Sequence, residues 1–192
     1  VKRDDDIAGG LAVLDMGQFF GGVSVRSAGI GAVAITPAAR GGGTATALMQ
    51  DTMHALHDEG YAVSSLFPAV IPLYRRAGYE LAGEKYRTIL GLRRPLPTAR
   101  GLELRAVTDD DQPEIERLYR EHAAPRNGML DRSPFFWRRV QHPRGEAGAG
   151  YLVLEDDRPT GYVFMRRPST DTSHLALTDL VEPGVEAQVD LA

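Results

Sequence analysis

The sequence contains no cysteine among its 192 residues. A disulfide framework, a thiol nucleophile and a cysteine-based metal site are therefore excluded. Disulfides form and persist mainly in oxidising compartments. The absence of cysteine is therefore compatible with a reducing compartment, and we expect a cytoplasmic protein. His54 and His57 lie on one predicted helix, but no third and fourth ligand follow at a metal-binding spacing, so no metal is expected.

An excess of positive charge and long apolar runs are also missing. Lys and Arg number 22 against 26 Asp and Glu, for a formal net charge of -4. This balance offers no basic surface for a phosphate backbone, so we expect no nucleic acid as partner. An acidic chain can still bind a cationic small molecule as substrate. No apolar run approaches the roughly 20 residues that cross a bilayer, so no membrane is expected either. The sequence starts at Val1, without an initiator Met or a signal peptide, and we expect it to be a fragment.

Short strand patterns open the sequence. Apolar stretches at 7–14 and 22–25 predict two strands, with the joining turn near 16–20. Residues 31–36 predict a short buried strand that Pro37 ends, because proline lacks an N–H and fixes φ.

A helix pattern follows a glycine-rich turn. Apolar and small residues recur at helical spacing at Ala45, Leu48, Met49, Thr52, Met53 and Leu56. Gly60 predicts the end of this helix. The pattern continues with a strand at 61–66, a short helix at 71–77 and a strand at 86–92. This order of strands and helices predicts a mixed α/β fold.

The pattern restarts in the second half of the sequence. The polar, proline-bearing stretch 93–100 is the predicted linker between a first domain at 1–92 and a second at 101–192. A strand is predicted at 102–107. Thr108 with Asp111 then resembles a capping box, and the helix that it starts carries Ile115, Leu118 and Tyr119.

Further elements are predicted toward the end of the sequence. Aromatic residues at 135–137 with Val140 suggest a second helix. Residues 151–154 and 161–165 flank a turn signal and predict a hairpin, and 175–181 predicts one more strand.

The glycine-rich loop carries the clearest chemical signal. It consists of Arg40, Gly41, Gly42, Gly43, Thr44 and Ala45. Backbone N–H groups that no side chain obstructs can wrap a pyrophosphate at the positive end of the following helix. The loop lacks the Lys of a P-loop, and its spacing breaks the dinucleotide fingerprint G-x-G-x-x-G. The alternative is a flexible turn without a ligand.

At this loop the sequence resembles the GNAT superfamily. The superfamily's pyrophosphate motif R/Q-x-x-G-x-G/A is matched by Arg40, Gly43 and Ala45. The stretches 66–68 and 73–80 make the sequence similar, more narrowly, to the Eis-type (enhanced intracellular survival) acetyltransferases. Those proteins carry two fused GNAT-like regions followed by a sterol-carrier-like domain.

The resemblance implies a fold. We expect the GNAT fold, with a mixed, mostly antiparallel sheet flanked by helices and the beginning of a second GNAT-like domain at 101–192. The start of the first GNAT region and the sterol-carrier-like domain would then lie outside the sequence.

The resemblance also implies an activity. We expect an acetyl-CoA-dependent N-acetyltransferase that acts on a primary amine of an aminoglycoside, a lysine or a polyamine-like acceptor, without a metal. Acetyl-CoA is expected to contact the backbone N–H groups of Val33 and Ile35 beside the loop 40–45, and Tyr74 is expected to protonate the departing thiolate. Tyr79 is the competing phenol, and an ordinary paired core strand is the alternative for Val33 and Ile35.

The general base and the assembly rest on the resemblance as well. It places a carboxylate at the far C-terminus of the full chain, and within this sequence Glu80 is possible on position alone. It also implies a homo-oligomer, a hexamer in Eis-type proteins. A non-catalytic acyl-CoA-binding or scaffolding module stays open as a second hypothesis.

Overall fold

The computed structural model describes residues 1–3, 6–84, 88–89, 101–143, 148–166 and 175–182. The chain divides into two compact units. The first contains Val1–Gln18 and Ser24–Gly91, and the second contains Phe19–Val23 and Leu92–Ala192. The predicted linker 93–100 lies outside the described residues, so the predicted domain bounds stay a prediction. Within the part of the chain that the structure describes, no helix is long and apolar enough to cross a membrane.

Strands dominate the first unit. They are β1 (Lys2–Arg3), β2 (Asp6–Ile7), β3 (Gly9–Phe20), β4 (Val23–Ile35) and β5 (Val63–Leu66). The joined ends of β3 and β4, at Phe19–Val23, belong to the second unit. β1 pairs with β2, and the larger sheet has the order β5-β4-β3 in this unit. β5 runs parallel to β4, since two helical segments and a loop carry the chain back to the same end of the sheet.

The turn that joins β3 to β4 lies at Gly21 and Gly22. The prediction of a turn near 16–20 was therefore wrong, because those residues continue β3. Gly21 and Gly22 have φ values of +57° and +83°, which glycine adopts without a steric penalty. A two-residue turn with positive φ at both positions matches the twist of paired strands, so the glycine pair fixes the hairpin.

Two helices complete the first unit. α1 (Thr44–Asp58) and α2 (Ile71–Arg76) begin and end close to the predicted positions. Gly60, with φ of +81°, follows the end of α1 as predicted. The buried core joins β4, α1 and α2 through Ala28, Ile30, Met49, Leu56 and Tyr74. The predicted strand 86–92 falls almost entirely outside the described residues.

The second unit is built on an antiparallel sheet. Its elements are β6 (Leu102–Ala106), α3 (Gln112–Ala123), β7 (Leu130–Asp131), α4 (Pro134–Gln141), β8 (Ala149–Glu155), β9 (Arg158–Arg166) and β10 (Ala176–Val181). The sheet order is β10-β9-β8-β6. Asp156 and Asp157, both with positive φ, form the hairpin turn between β8 and β9, inside the predicted turn region.

The start of α3 has the predicted cap. A short 3-10 turn at Asp109–Asp111 precedes the helix, and the Thr108 N–H donates to the Asp111 carboxylate at 2.8 Å. Ile115 and Tyr119 of α3 then pack against Leu152 of β8 in the core. Burying apolar surface of this kind contributes roughly 25 cal/mol per Å² to folding.

Across both units the strands are mostly antiparallel, with β4 and β5 as a parallel pair, and helices flank the sheets. This confirms the predicted fold class.

Candidate active site

β4 extends beyond its parallel neighbour β5. Their register pairs Ser27 with Val63 and ends where Ile30 pairs with Leu66. β4 then continues to Ile35, and its last residues have no β5 residue beside them. One edge of the end of β4 is therefore left open by β5.

The predicted backbone donors face that open edge. The Thr36 N–H, just after β4, donates to the Ala8 carbonyl at 2.9 Å, on the β3 side. N–H groups of successive strand residues point to opposite edges, so those of Val33 and Ile35 point away from β3. The structure thus gives both residues the orientation that a ligand beside β4 requires.

The backbone of β4 changes conformation where the pairing with β5 ends. Ala32 has a φ of +51°, in the left-handed region that residues with a Cβ rarely adopt. This conformation costs about 1–2 kcal/mol for an L-residue and interrupts the regular strand. It was not predicted, because a single alanine in an apolar stretch carries no local pattern for a left-handed conformation.

The glycine loop joins β4 to the start of α1. A 3-10 turn at Pro37–Ala39 leads into Arg40, and Gly41 and Gly43 have φ values of +80° and +81°. A Cβ at Gly41, Gly42 or Gly43 would meet no other atom within 4 Å. The loop therefore presents exposed backbone rather than close packing, and glycine is needed at two of its positions for conformation alone.

The first turn of α1 has no side-chain cap. Gly43 is the N-cap residue, no side chain accepts from the first-turn N–H groups, and no acidic residue lies in that turn. The first helical hydrogen bond is donated by the Ala47 N–H to the Gly43 carbonyl at 3.0 Å. The N–H groups of Thr44 and Ala45 are thus left at the positive end of a 15-residue helix, where an anion is favoured.

Arg40 brings a positive charge to the same place. Its Nε donates to the Ile35 carbonyl at 3.2 Å, which folds the side chain back over the end of β4. Among the described residues, no carboxylate lies within ion-pair distance of its guanidinium. The structure therefore brings together Arg40, the glycine loop and the open end of β4.

Tyr74 lies on α2 in the core of the same unit. It is 8% exposed and packs with Ala28 and Met49. Its hydroxyl has no hydrogen-bond partner within the described residues. The phenol is therefore held by packing, while its proton is not committed to a neighbour.

Tyr79, the competing phenol, has its hydroxyl engaged. The Tyr79 hydroxyl lies 2.6 Å from Ser64 Oγ, on β5. Burial raises the pKa of the Tyr79 phenol above its ordinary value. Ser64 was missed by the sequence analysis, because a serine in a strand gives no local sign of its partner.

Glu80, the carboxylate considered as base, is also engaged. Arg75 donates to it through Nη2 at 2.7 Å and through Nε at 3.0 Å. These hydrogen bonds lower the pKa of the Glu80 carboxyl, which makes it a weaker proton acceptor. Among the described residues, no group of three His, Asp or Glu side chains could hold a metal ion.

The first part of the chain is similar in sequence to a known protein family. Residues 1–82 match the family model described as an acetyltransferase (GNAT) domain. Residues 1–82 form a GNAT acetyltransferase domain. No curated protein sequence matches the chain significantly.

Solved structures are similar over most of the chain. A GCN5-related N-acetyltransferase from Anabaena variabilis is 34% identical, with a TM-score of 0.77 over 94% of this chain and 47% of the other. A GCN5-related N-acetyltransferase from Kribbella flavida is 23% identical, with a TM-score of 0.71 over 94% and 44%. Eis1 from Mycobacterium abscessus is 25% identical, with a TM-score of 0.67 over 95% and 49%.

These similarities confirm the GNAT fold. The chain spans about half the length of the structures that it matches. The likeness to an Eis protein is one among several to GNAT proteins, so the narrower Eis-type resemblance stays a prediction.

Proposed function

We propose that the protein is an N-acetyltransferase that transfers the acetyl group of acetyl-CoA to a primary amine. The observation that carries this proposal is the continuity between the open end of β4 and the uncapped start of α1. A strand edge with free donors leads directly into a loop suited to a pyrophosphate. The GNAT domain at residues 1–82 supports the same reaction class.

In this proposal the loop holds the pyrophosphate of acetyl-CoA. The backbone of Gly41, Gly42 and Gly43 allows close approach, and the N–H groups of Thr44 and Ala45 donate to the phosphate oxygens. Arg40 adds a positive charge beside them. Since a glycine N-cap leaves these N–H groups without competition from a side chain, the site suits an anion rather than a neutral ligand.

The acyl arm would then run along the open edge of β4. The N–H groups of Val33 and Ile35 bind the arm and polarise the thioester carbonyl. Donors that are already oriented toward a developing oxyanion are commonly worth about 3–4 kcal/mol in the transition state. Backbone placement can therefore supply much of the rate acceleration.

The transfer proceeds by direct attack in a ternary complex. The amine nitrogen forms a bond to the carbonyl carbon, the C–S bond breaks, and the Tyr74 hydroxyl gives its proton to the departing sulfur. The attacking amine loses its proton to a base or to water. These 192 residues include no cysteine, so no thioester intermediate can form on a thiol of this part of the protein.

We further propose an aminoglycoside, lysine or polyamine-like acceptor, a cytoplasmic location and assembly into a homo-oligomer. These proposals rest on the resemblance to the Eis-type acetyltransferases, and the net charge of -4 is compatible with a cationic acceptor.

A specific observation favours the second candidate, a non-catalytic acyl-CoA-binding module. The carboxylate closest in sequence to Tyr74, that of Glu80, is engaged by Arg75 and is a poor base. The uncommitted hydroxyl of Tyr74 favours the enzyme.

Free-thiol release separates the two functions. Acetyl-CoA is incubated with the protein and a panel of aminoglycosides, polyamines and lysine peptides, and acetyl-CoA binding is measured in parallel by calorimetry. Amine-dependent thiol release supports the enzyme. Binding of acetyl-CoA without thiol release supports the module. If the protein neither binds acetyl-CoA nor releases thiol, both functions are rejected.

A further inference from the structure

We propose that Tyr79 and Ser64 are positioning residues for Tyr74. They form a chain of contacts that starts on β4, crosses β5 and ends on the Tyr74 ring. The catalytic consequence of this proposal rests on the proposed function, whereas the positioning itself does not.

The hydrogen bonds in this chain have a defined direction. Ser64 Oγ donates to the Ala28 carbonyl at 3.1 Å, and a carbonyl can only accept. The single proton of the Ser64 hydroxyl is used there. The contact of 2.6 Å between the Ser64 and Tyr79 hydroxyls is therefore donated by Tyr79.

This direction gives the two phenols different roles. The Tyr79 proton is committed to Ser64, so Tyr79 cannot give it to a departing thiolate without breaking the chain. The Tyr74 proton is uncommitted among the described residues. Tyr79 consequently acts on the reaction through Tyr74.

Tyr79 contacts Tyr74 through both its ring and its backbone. The ring centroids lie 6.3 Å apart with an interplanar angle of 77°, an edge-to-face arrangement. The Tyr79 N–H donates to the Tyr74 carbonyl at 3.1 Å. Gly78, with φ of +94°, allows the chain to reverse between them. The hydroxyl of Tyr79 is therefore held by Ser64, and its ring packs edge-to-face with the Tyr74 ring.

The chain also connects the phenol to the proposed donor strand. Ala28 is fully buried and pairs with Ser64 in the parallel register. It lies two residues before Ile30, where the pairing with β5 ends and the open part of β4 begins. The same contacts thus fix the distance between the strand that would bind the thioester and the phenol that would protonate the leaving sulfur.

Steady-state kinetics test the catalytic part. We expect Tyr79→Phe and Ser64→Ala each to lower kcat by about three- to tenfold, the value of one hydrogen bond, with the KM for acetyl-CoA unchanged. The double variant should be no slower than either single one, because both break the same chain. Ser64→Thr, which keeps the hydroxyl, should retain the wild-type kcat that Ser64→Ala loses.

Ser65→Ala is the matched control. Ser65 is the next residue of β5, and the structure gives its hydroxyl no hydrogen bond within the described residues. It should leave kcat unchanged. If Tyr79→Phe and Ser64→Ala also leave kcat unchanged while Tyr74→Phe abolishes turnover, the positioning role is wrong and the proposed function stands. If Tyr79→Phe is the more severe phenol variant, Tyr79 is itself the acid and the inference is overturned.

A second readout does not depend on activity. The seven tyrosines are labelled with 3-fluorotyrosine, and the Tyr74 fluorine resonance is assigned by its loss in Tyr74→Phe. We expect Ser64→Ala and Tyr79→Phe to shift or broaden the Tyr74 resonance, and Ser65→Ala to leave it in place. An unmoved resonance in the first two variants overturns the proposal. A shifted resonance in a protein that releases no thiol would support the positioning and reject the proposed function.

Discussion

The guanidinium of Arg132 and the carboxylate of Asp179 form a two-point ion pair inside the second unit. The two hydrogen bonds measure 2.6 and 2.8 Å, and the side chains are only 11% and 12% exposed. The Tyr162 hydroxyl donates to the same carboxylate at 2.7 Å. The guanidinium also lies 3.7 Å from the centroid of the Tyr119 ring. One charge pair therefore links the segment before α4 to β9 and β10.

Replacing Asp179 should strongly destabilise the second unit. Burial lowers the pKa of the Arg132 guanidinium, but the hydrogen bonds that it donates to Asp179 outweigh this and raise the pKa, so the arginine stays charged. Asp179→Asn would leave that charge buried without a counterion, at a cost of about 3–5 kcal/mol. Urea unfolding followed by the fluorescence of Trp137, the single tryptophan, measures the change in the free energy of unfolding.

An exposed ion pair supplies the control for this variant. Arg117 and Glu114 form a contact of 2.7 Å on the surface of α3, where the arginine is 46% exposed. Glu114→Gln should cost less than about 1 kcal/mol. A cost for Asp179→Asn no larger than that of Glu114→Gln would contradict the structural role given to the buried pair.

Asp111 should make the second unit sensitive to acid. Hydrogen bonds from Arg105 at 2.6 and 3.0 Å and from the Thr108 N–H hold the pKa of the Asp111 carboxyl well below its usual range. A carboxyl whose pKa is lower in the folded state adds stability above its unfolded pKa, about 3.9. That stability is lost as the pH falls below this value toward the folded pKa.

The stability difference between wild type and Asp111→Asn tests this. At neutral pH the variant should be less stable by about 1 kcal/mol, as for loss of a helix cap. The difference should shrink as the pH falls below about 3.9. Asp109→Asn, two residues away, should lie within about 0.5 kcal/mol of wild type. A difference between wild type and Asp111→Asn that stays constant down to pH 2 would reject the explanation.

Local patterns predicted much of the fold. The apolar stripe of α1, Pro37 after β4 and the capping residues before α3 each act within a few residues, so their consequences can be read from spacing. The turn between β3 and β4 was predicted a few residues too early, near 16–20. It also follows from a local pattern, because the adjacent glycines Gly21 and Gly22 are typical of a two-residue hairpin turn.

Contacts between distant residues could not be predicted in this way. Ser64 and Ala28 are 36 residues apart, and Arg132 and Asp179 are 47 apart. Their pairing depends on strand register and sheet order, which no local pattern specifies. The same reason applies to the open edge of β4, because it exists only where the shorter β5 stops.

Tyr74→Phe should slow the reaction without weakening acetyl-CoA binding. The variant keeps the ring that packs in the core and removes the uncommitted hydroxyl. General acid catalysis contributes about 10²- to 10⁴-fold, and we expect a fall in kcat within that range. Calorimetry should give an unchanged Kd for acetyl-CoA. Tyr61→Phe, which removes a hydroxyl bonded to Asp15 at 2.8 Å, should keep the wild-type kcat. Equal rates for Tyr74→Phe and wild type would exclude Tyr74 as the acid.

The two ends of α1 allow backbone strain to be separated from ligand binding. Gly43 before the helix and Gly60 after it both have a φ of +81°, and a Cβ at either position would meet no other atom within 4 Å. Gly43→Ala and Gly60→Ala should therefore share the same conformational cost, about 1 kcal/mol of unfolding free energy. Thermal unfolding of the two variants measures this shared cost.

Only the variant at the N-terminus of α1 should affect the cofactor. The N–H groups beside Gly43 are the proposed phosphate donors, whereas Gly60 follows the opposite, negative end of the helix dipole. We expect Gly43→Ala to weaken acetyl-CoA binding by about tenfold or more and Gly60→Ala to leave the Kd unchanged. Equal losses in both variants would attribute the effect to helix stability, and wild-type affinity in Gly43→Ala would place the pyrophosphate elsewhere. Because the backbone strain is matched, a loss confined to Gly43→Ala can only come from contact between the loop and the ligand.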